Sequence, residues 1–451
     1  MTSRKIANES KSTGSTLSVG RRKVLKGMAA AGVVALAPSA LGARRAYAAG
    51  RIIKIGFVSP ETGPIASFGE ADNFVLDGVR KAIGDGIVVN GVKHPVVIIQ
   101  KDSQSKANRA ASVAAELISA DKVDILVAGS TADTTIPVSS QAELNGVPCL
   151  TADTPWQAWF FGQKGDPAKG FDWTFHHFWG ADGVFTCFDD MWKQIDTNKV
   201  VGWLAGDDND GRALGDKEHG FPAMLKAAGY TTIDLGLFDN MTDNFSAQIT
   251  KLKNSNVEIV CGVFYPPTWA TFWNQAMQQG FRPKAVTPLK ALLFPASADA
   301  MGDRVIGHSS EVWWSPHHPF KSGLTGQTAK QLCDAYTEAT GKQWTQPTGF
   351  KHSVLEIAID VLKRTKDIDN PASIRDAILE SNYNSIVGPL QWKASPPTPI
   401  NPVKNVCVTP VVGGQWRKGS GKFKYELSLV ATQHAPEIKA DDKFLPLKYV
   451  G

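Results

Sequence analysis

Cysteine is scarce and scattered: the chain holds only Cys149, Cys187, Cys261, Cys333 and Cys407, with no C-x-x-C pair among them. The spacing argues against a zinc site, and an odd count leaves at least one thiol free or paired between chains. The phosphate-binding G-x-G-x-x-G, the Walker loop, G-x-S-x-G and H-E-x-x-H are all missing, so neither a cofactor nor a catalytic centre is expected. His176-His177 and His317-His318 are adjacent rather than four apart, which makes them poor metal chelators. Beyond residue 48 no apolar run reaches the length of a bilayer span.

A basic surplus is also lacking once the N-terminus is set aside. The formal charge of +5 for the whole chain includes +8 from residues 1–48, which leaves −3 for the remainder. Nucleic-acid binding thereby loses its main support. Residues 1–48 carry Arg21-Arg22-Lys23, a short apolar stretch from Gly27 to Ala43, then Arg44, Arg45 and Ala46-Tyr47-Ala48. This order predicts an export signal of the twin-arginine type, cleaved after Ala48, with the twin-arginine machinery as a partner and the periplasm as destination. Cargo of that route folds in a reducing compartment, so buried free thiols are expected.

Past the signal the chain alternates strand and helix. Strands are expected at Ile52–Val58, Val96–Ile99, Val123–Val127 and Val147–Leu150, with helices including Ala107–Ile118 and Thr135–Leu144. The rhythm restarts with strands at Val200–Ala205, Ile233–Phe238 and Ile259–Phe264, and with helices at Phe185–Ile195, Arg212–Ala228 and Trp269–Gln278. Two such blocks predict two parallel sheets, hence an α/β protein of two lobes. Three helices then follow without strands, at Thr328–Thr340, Val354–Lys366 and Pro371–Glu380, the last capped by Asn370. From Ser385 onward the chain reads as strands and turns, with Ser395-Pro396-Pro397-Thr398-Pro399 as an exposed loop.

Several stretches, in order, resemble the type I periplasmic binding proteins. They are Thr62-Gly63-Pro64-Ile65-Ala66-Ser67-Phe68-Gly69, Asp102-Ser103-Gln104, Gly129-Ser130-Thr131-Ala132-Asp133-Thr134-Thr135, Asn244-Phe245-Ser246 and Val387-Gly388-Pro389-Leu390-Gln391-Trp392. The likeness is specifically to the leucine/isoleucine/valine-binding branch, the substrate-binding subunits of branched-chain amino acid ABC transporters. The resemblance implies two Rossmann-like lobes joined by three hinge crossovers. One lobe would comprise residues 49–177 plus 315–384 and the other 178–314 plus 385–430, with 431–451 as a C-terminal tail. It also implies delivery of a small-molecule ligand to a membrane permease and its ATPase. A sensor subunit for a receptor, or less readily a cofactor-carrying exported enzyme, are the alternatives, since fold alone does not fix role.

In open α/β sheets ligands sit beyond the carboxyl ends of the strands. The turn with Thr131, Asp133 and Thr134 faces a helix start, which favours anions, although these residue types also cap helices. In the family this turn holds the ligand carboxylate. Ala152, Asp153 and Thr154 match family contact positions, as do Phe68 and Tyr265; Phe68 suits core packing equally well, and the turn before Pro155 is a plain alternative for the other three. Trp156, beside Trp159, is placed to roof the cleft. In the loop Gly206-Asp207-Asp208-Asn209-Asp210-Gly211, Asp210 is expected in the site, and Asp207 and Asp208 on the surface. Amino-acid binders of the branch carry an acid near Pro288-Leu289-Lys290 to hold the ammonium group; here stand Leu289 and Lys290. An ordinary amino acid is thereby disfavoured, and Lys290 is expected either to face an anionic ligand or to point to solvent. The ligand is expected to be amino-acid-like, or an aromatic or aliphatic carboxylate.

Overall fold

The computed structural model describes residues 48–393 and 397–449. The twin-arginine segment therefore lies outside the described residues, except for its last alanine, Ala48. Part of the Pro-rich loop, 394–396, lies outside them as well.

Two parallel sheets organise the chain. The first has the spatial order Val406–Cys407, Thr174–His177, Cys149–Ala152, Ile125–Gly129, Ile53–Ser59 and Val96–Asp102, all parallel. The second runs Thr231–Phe238, Val200–Gly206, Ile259–Val263 and Ala285–Leu289, again all parallel. The central strands are apolar and buried along their length, as strands covered by helices on both faces must be. In each sheet the chain starts in an inner strand, steps to one side and returns past its start. The order reverses beside Ile53–Ser59 in the first sheet and beside Val200–Gly206 in the second, and such reversals open a crevice at the strands' carboxyl ends.

Three passages join the lobes. The first leaves Thr174–His177 through Phe178-Trp179. The second leaves Ser309–Val312, which pairs antiparallel with Val412–Lys418, through Trp313-Trp314. The third follows Val406–Cys407, because those two residues still pair with His176 and His177 in the first sheet. Trp392 stays with the first lobe too, donating its indole N–H to the His176 carbonyl at 2.9 Å. The long helix Pro347–Arg364 packs on the first sheet, and Lys351 reaches from it to the order reversal.

The expected helix over Arg212–Ala228 is two helices, Asn209–Leu214 and Phe221–Ala227, separated by the Gly215–Gly220 turn. Gly211 is required where it stands, since a Cβ there would run into the Gly206 carbonyl oxygen. Two elements escape the sequence pattern. The strand Ala285–Leu289 contains Pro288, which a ladder ordinarily rejects; the helix Trp156–Gly162 is two turns long. At the outer edge of the second sheet, Thr231–Phe238 shifts register between Asp234 and Leu237, with Gly236 at φ 72°.

All five thiols are free and buried. Burial pushes each thiol pKa upward, that of Cys407 to about 12. Native protein titrated with a chromogenic disulfide is expected to release no colour within minutes, and five equivalents after denaturation. A fast-reacting thiol in the native protein would contradict this packing.

Candidate functional site

The two sheets point their carboxyl ends at each other, and a small cavity of about 20 Å³ lies between them. That is room for about one water molecule. Its wall comes from both lobes and from two of the passages between them. Phe68 and Asp153 belong to the first lobe, Asp210, Leu289 and Lys290 to the second, and Phe178, Trp179, Glu311 and Trp313 to the passages.

Lys290 terminates its strand in a left-handed conformation, φ 67°, a costly one for a long side chain. Its ammonium group bonds Asp208 Oδ2 at 2.7 Å and Asp210 Oδ2 at 2.9 Å, with the lysine side chain 11% and each carboxylate 3% exposed. It also stands 5.0 Å over the Tyr265 ring. Burial disfavours the charge on Lys290, yet the two aspartates outweigh it and hold the ammonium pKa above its ordinary value. Burial likewise opposes ionisation of Asp208, and Lys290 outweighs it, so that carboxyl lies below its ordinary range. Two expectations need correcting here. Lys290 does not point to solvent: it lines the cavity with its ammonium group paired to the protein's own carboxylates. Asp208 is no surface residue: it caps the helix Asn209–Leu214 by accepting the Gly211 N–H at 2.7 Å.

Asp210 reaches across to the first lobe. Its Oδ1 accepts from the Thr154 hydroxyl at 2.8 Å, and its Oδ2 from the Ala132 N–H at 3.4 Å. Ala132 opens the helix Ala132–Asn145, and Thr131 at the cap position makes no side-chain cap bond. Asp210 thus supplies the acceptor that the cap residue does not. Nearby, Asn209 donates from its side chain to Asp133 Oδ1 at 2.5 Å and from its backbone at 3.3 Å. The Asp133 pKa is raised, first by burial and then by the charges of Asp208 and Asp210. Phe68 meets Phe294 of the other lobe edge to face, with centroids 5.1 Å apart.

Of the residues expected in the site, Phe68, Asp153, Asp210 and Lys290 line the cavity. Asp133 and Thr154 instead join the lobes beside it. Thr134 bonds the Ser130 hydroxyl, Ala152 is core, and the Thr131 hydroxyl is buried without a partner. Tyr265 stacks under Lys290, and burial raises the pKa of its phenol. Trp156 does not reach the cavity. It lines a separate groove of about 680 Å³ with Phe161, Arg212 and His219. Trp159 is core, stacked on His176 at 4.8 Å.

Sequence reasoning missed Glu311, Lys351 and the indoles of Trp179 and Trp313. Glu311 is fully buried and accepts from the Lys290 N–H at 3.0 Å; burial lifts its pKa to about 7. Lys351 sits at the order reversal of the first sheet, donating to the Ser59 hydroxyl at 3.1 Å and to the Gly129 carbonyl, with Asp153 3.6 Å away. Their neighbours, Ser309-Ser310 before Glu311 and His352-Ser353 after Lys351, are polar, so no apolar run marked either charge as buried.

A profile of the family described as "Periplasmic binding protein" matches residues 52–411. The chain belongs to that family. Among curated relatives of this periplasmic binding protein is the Leu/Ile/Val-binding protein homolog 3 of Brucella melitensis, 27% identical over 222 residues. That match takes in 46% of this chain and 53% of the relative, so only about half of the relative's length is spanned. A leucine-binding protein from Thermotoga maritima superposes with a TM-score of 0.66 at 19% identity, covering 85% of this chain and 99% of the other. A solute-binding protein of an ABC transporter from Rhodopseudomonas palustris BisB5, in complex with 3,4-dihydroxybenzoic acid, gives 0.66 at 19% identity, covering 84% and 96%. These structures fix the fold of the periplasmic binding protein as type I, with two Rossmann-like lobes. No helix among the described residues is long and apolar enough to cross a membrane.

Proposed function

We propose that this chain is the extracytoplasmic substrate-binding subunit of an ABC importer, and that it binds rather than transforms a small organic ligand. Its lobes would part and close about the three passages and present the ligand to a permease with its ATPase. The observation that carries this reading is the cavity. It lies at the carboxyl ends of both sheets, is lined by residues of both lobes, and has Phe68, Phe178, Trp179 and Trp313 in its wall. Such rings suit a ligand with an apolar or aromatic body. Its direct contacts would be drawn from Phe68, Asp153, Asp210 and Lys290 together with Trp179, Glu311 and Trp313.

The same proposal includes export by the twin-arginine route with cleavage after Ala48. It divides the chain into lobes of residues 49–177 plus 315–384 and 178–314 plus 385–430, with a tail from 431, with one adjustment. Pairing of Val406–Cys407 in the first sheet favours a last boundary near residue 410 rather than 385.

The test is a thermal-shift screen of residues 49–451 against aliphatic and aromatic amino acids, carboxylates, amides and urea, followed by calorimetry. A true ligand at a hundredfold excess over its Kd should stabilise the protein by about 3 kcal/mol. If every compound leaves both Tm and tryptophan emission unchanged, the reading fails.

A further inference from the structure

The start of the helix Ala132–Asn145, with the Thr154 hydroxyl beside it and an ammonium group 2.9 Å from the bound oxygen, is a complete carboxylate position. A carboxylate already fills it, and it is the protein's own. We infer that Asp210 is a built-in occupant of this position, so that the ligand brings no carboxylate of its own and is instead an uncharged amide. The inference rests on the substrate-binding reading above and narrows its substrate class.

Three observations meet in it. Asp210 and Lys290 together form an internal carboxylate–ammonium pair on the cavity wall, which leaves the carboxylate of a free amino acid no unpaired cation there. Asp153 and Glu311 face the same space, and burial already lifts both to about 7, so an ionised carboxylate entering there would meet the same penalty for burying charge. Lastly, the buried groups without partners ask for both halves of an amide. The indole N–H groups of Trp179 and Trp313 need an acceptor, and both oxygens of Asp153 need donors. A primary amide offers a carbonyl oxygen and two N–H groups on one carbon. An amine offers only donors, and a carboxylate only acceptors.

The experiment compares matched probes: isovaleramide, isovalerate and isopentylamine, then benzamide, benzoate and benzylamine. Each is titrated calorimetrically into residues 49–451 and into the variants Asp210→Ala and Asp210→Asn. In the wild type the amide is expected to bind at least tenfold more tightly than the matched acid or amine. In Asp210→Ala the acid should gain at least tenfold, because the helix start, Thr154 and Lys290 are released to it. Asp210→Asn keeps the shape and carries the comparison if the alanine variant does not fold. Acid binding to the wild type as tightly as the amide, preference for the amine, or unchanged acid affinity in a folded variant would overturn the inference alone. Silence from every probe in all three proteins would overturn the substrate-binding reading with it.

Discussion

Replacing Lys290 by methionine is expected to cost about 3–5 kcal/mol of folding stability, since it strands two buried carboxylates without their cation. Asp208 and Asp210 each approach the ammonium group within hydrogen-bonding distance, at 2.7 and 2.9 Å, where solvent screens little. The loss should depend on pH in a definite sense. Without Lys290, burial is opposed on Asp208 only by the bonds from the Gly211 N–H and the Asn240 side chain, so the folded pKa of that carboxyl moves upward. The deficit is then small where both states are protonated and grows as the pH rises to neutrality. Calorimetric unfolding of Lys290→Met against the wild type at pH 5 and pH 8 reads this directly. Arginine at 290 should restore part of the stability, because it keeps the charge but not the compact geometry. A methionine variant as stable as the parent at pH 8 would mean that the ion pair is not shielded as its burial implies.

The second large effect is a collapse in acid. Five histidines are buried and held neutral: burial lowers His176, His308 and His318 to about 3, His352 to about 4, and His177 well below its ordinary value. Each contributes stability that is present above the unfolded pKa of 6.5 and is lost as the pH falls towards the folded value, at about 1.4 kcal/mol per pH unit. Four buried carboxyls work the other way. Burial lifts Asp72 to about 6 and Asp153, Glu311 and Glu356 to about 7. Their contribution is present below the unfolded pKa of about 4 and is lost as the pH rises through 6 to 7. Between pH 6 and 4 the two sets nearly cancel; below pH 4 the carboxyls are protonated in both states and the histidines act unopposed. Stability should therefore stay level from pH 7 to 4.5, then fall by roughly 5 kcal/mol per unit below pH 4. His308 is the cleanest single test. Both its ring nitrogens lack partners, and it lies 4.4 Å from Trp273. His308→Phe should move the acid midpoint downward, as followed by circular dichroism; an unmoved midpoint would show that His308 does not contribute.

The sheets were legible because inner strands such as Ile125–Gly129 and Ile259–Val263 are short apolar runs, and the helices because caps such as Thr328 and Asn370 are explicit. Ala285–Leu289 was not legible, since Pro288 reads as a breaker in any strand whose N–H must pair. The loops of the site were found at the strand ends where they belong, but their partners were not. That Lys290 would meet Asp208 and Asp210, some 80 residues earlier in the chain, depends on three strands lying side by side in one sheet. Glu311 and Lys351 reach the cleft from a passage strand and a distant helix, and no local pattern marks a charge as buried. Conversely, Trp156 follows a site loop directly and still turns away, because the helix it opens carries it into the outer groove.

The register shift near Gly236 bears on how one molecule behaves beside another. A straight outer strand presents a ladder of free N–H and C=O groups that a strand from a neighbouring copy can extend. Here the outer strand of the second sheet is interrupted between Asp234 and Leu237, so its free groups fall out of step halfway along. At the opposite side of that sheet, Ala285–Leu289 lies against the passage strand Ser309–Val312. Neither border of this parallel sheet gives an incoming strand a run to copy, so crowding many molecules together should not zip them edge to edge through it.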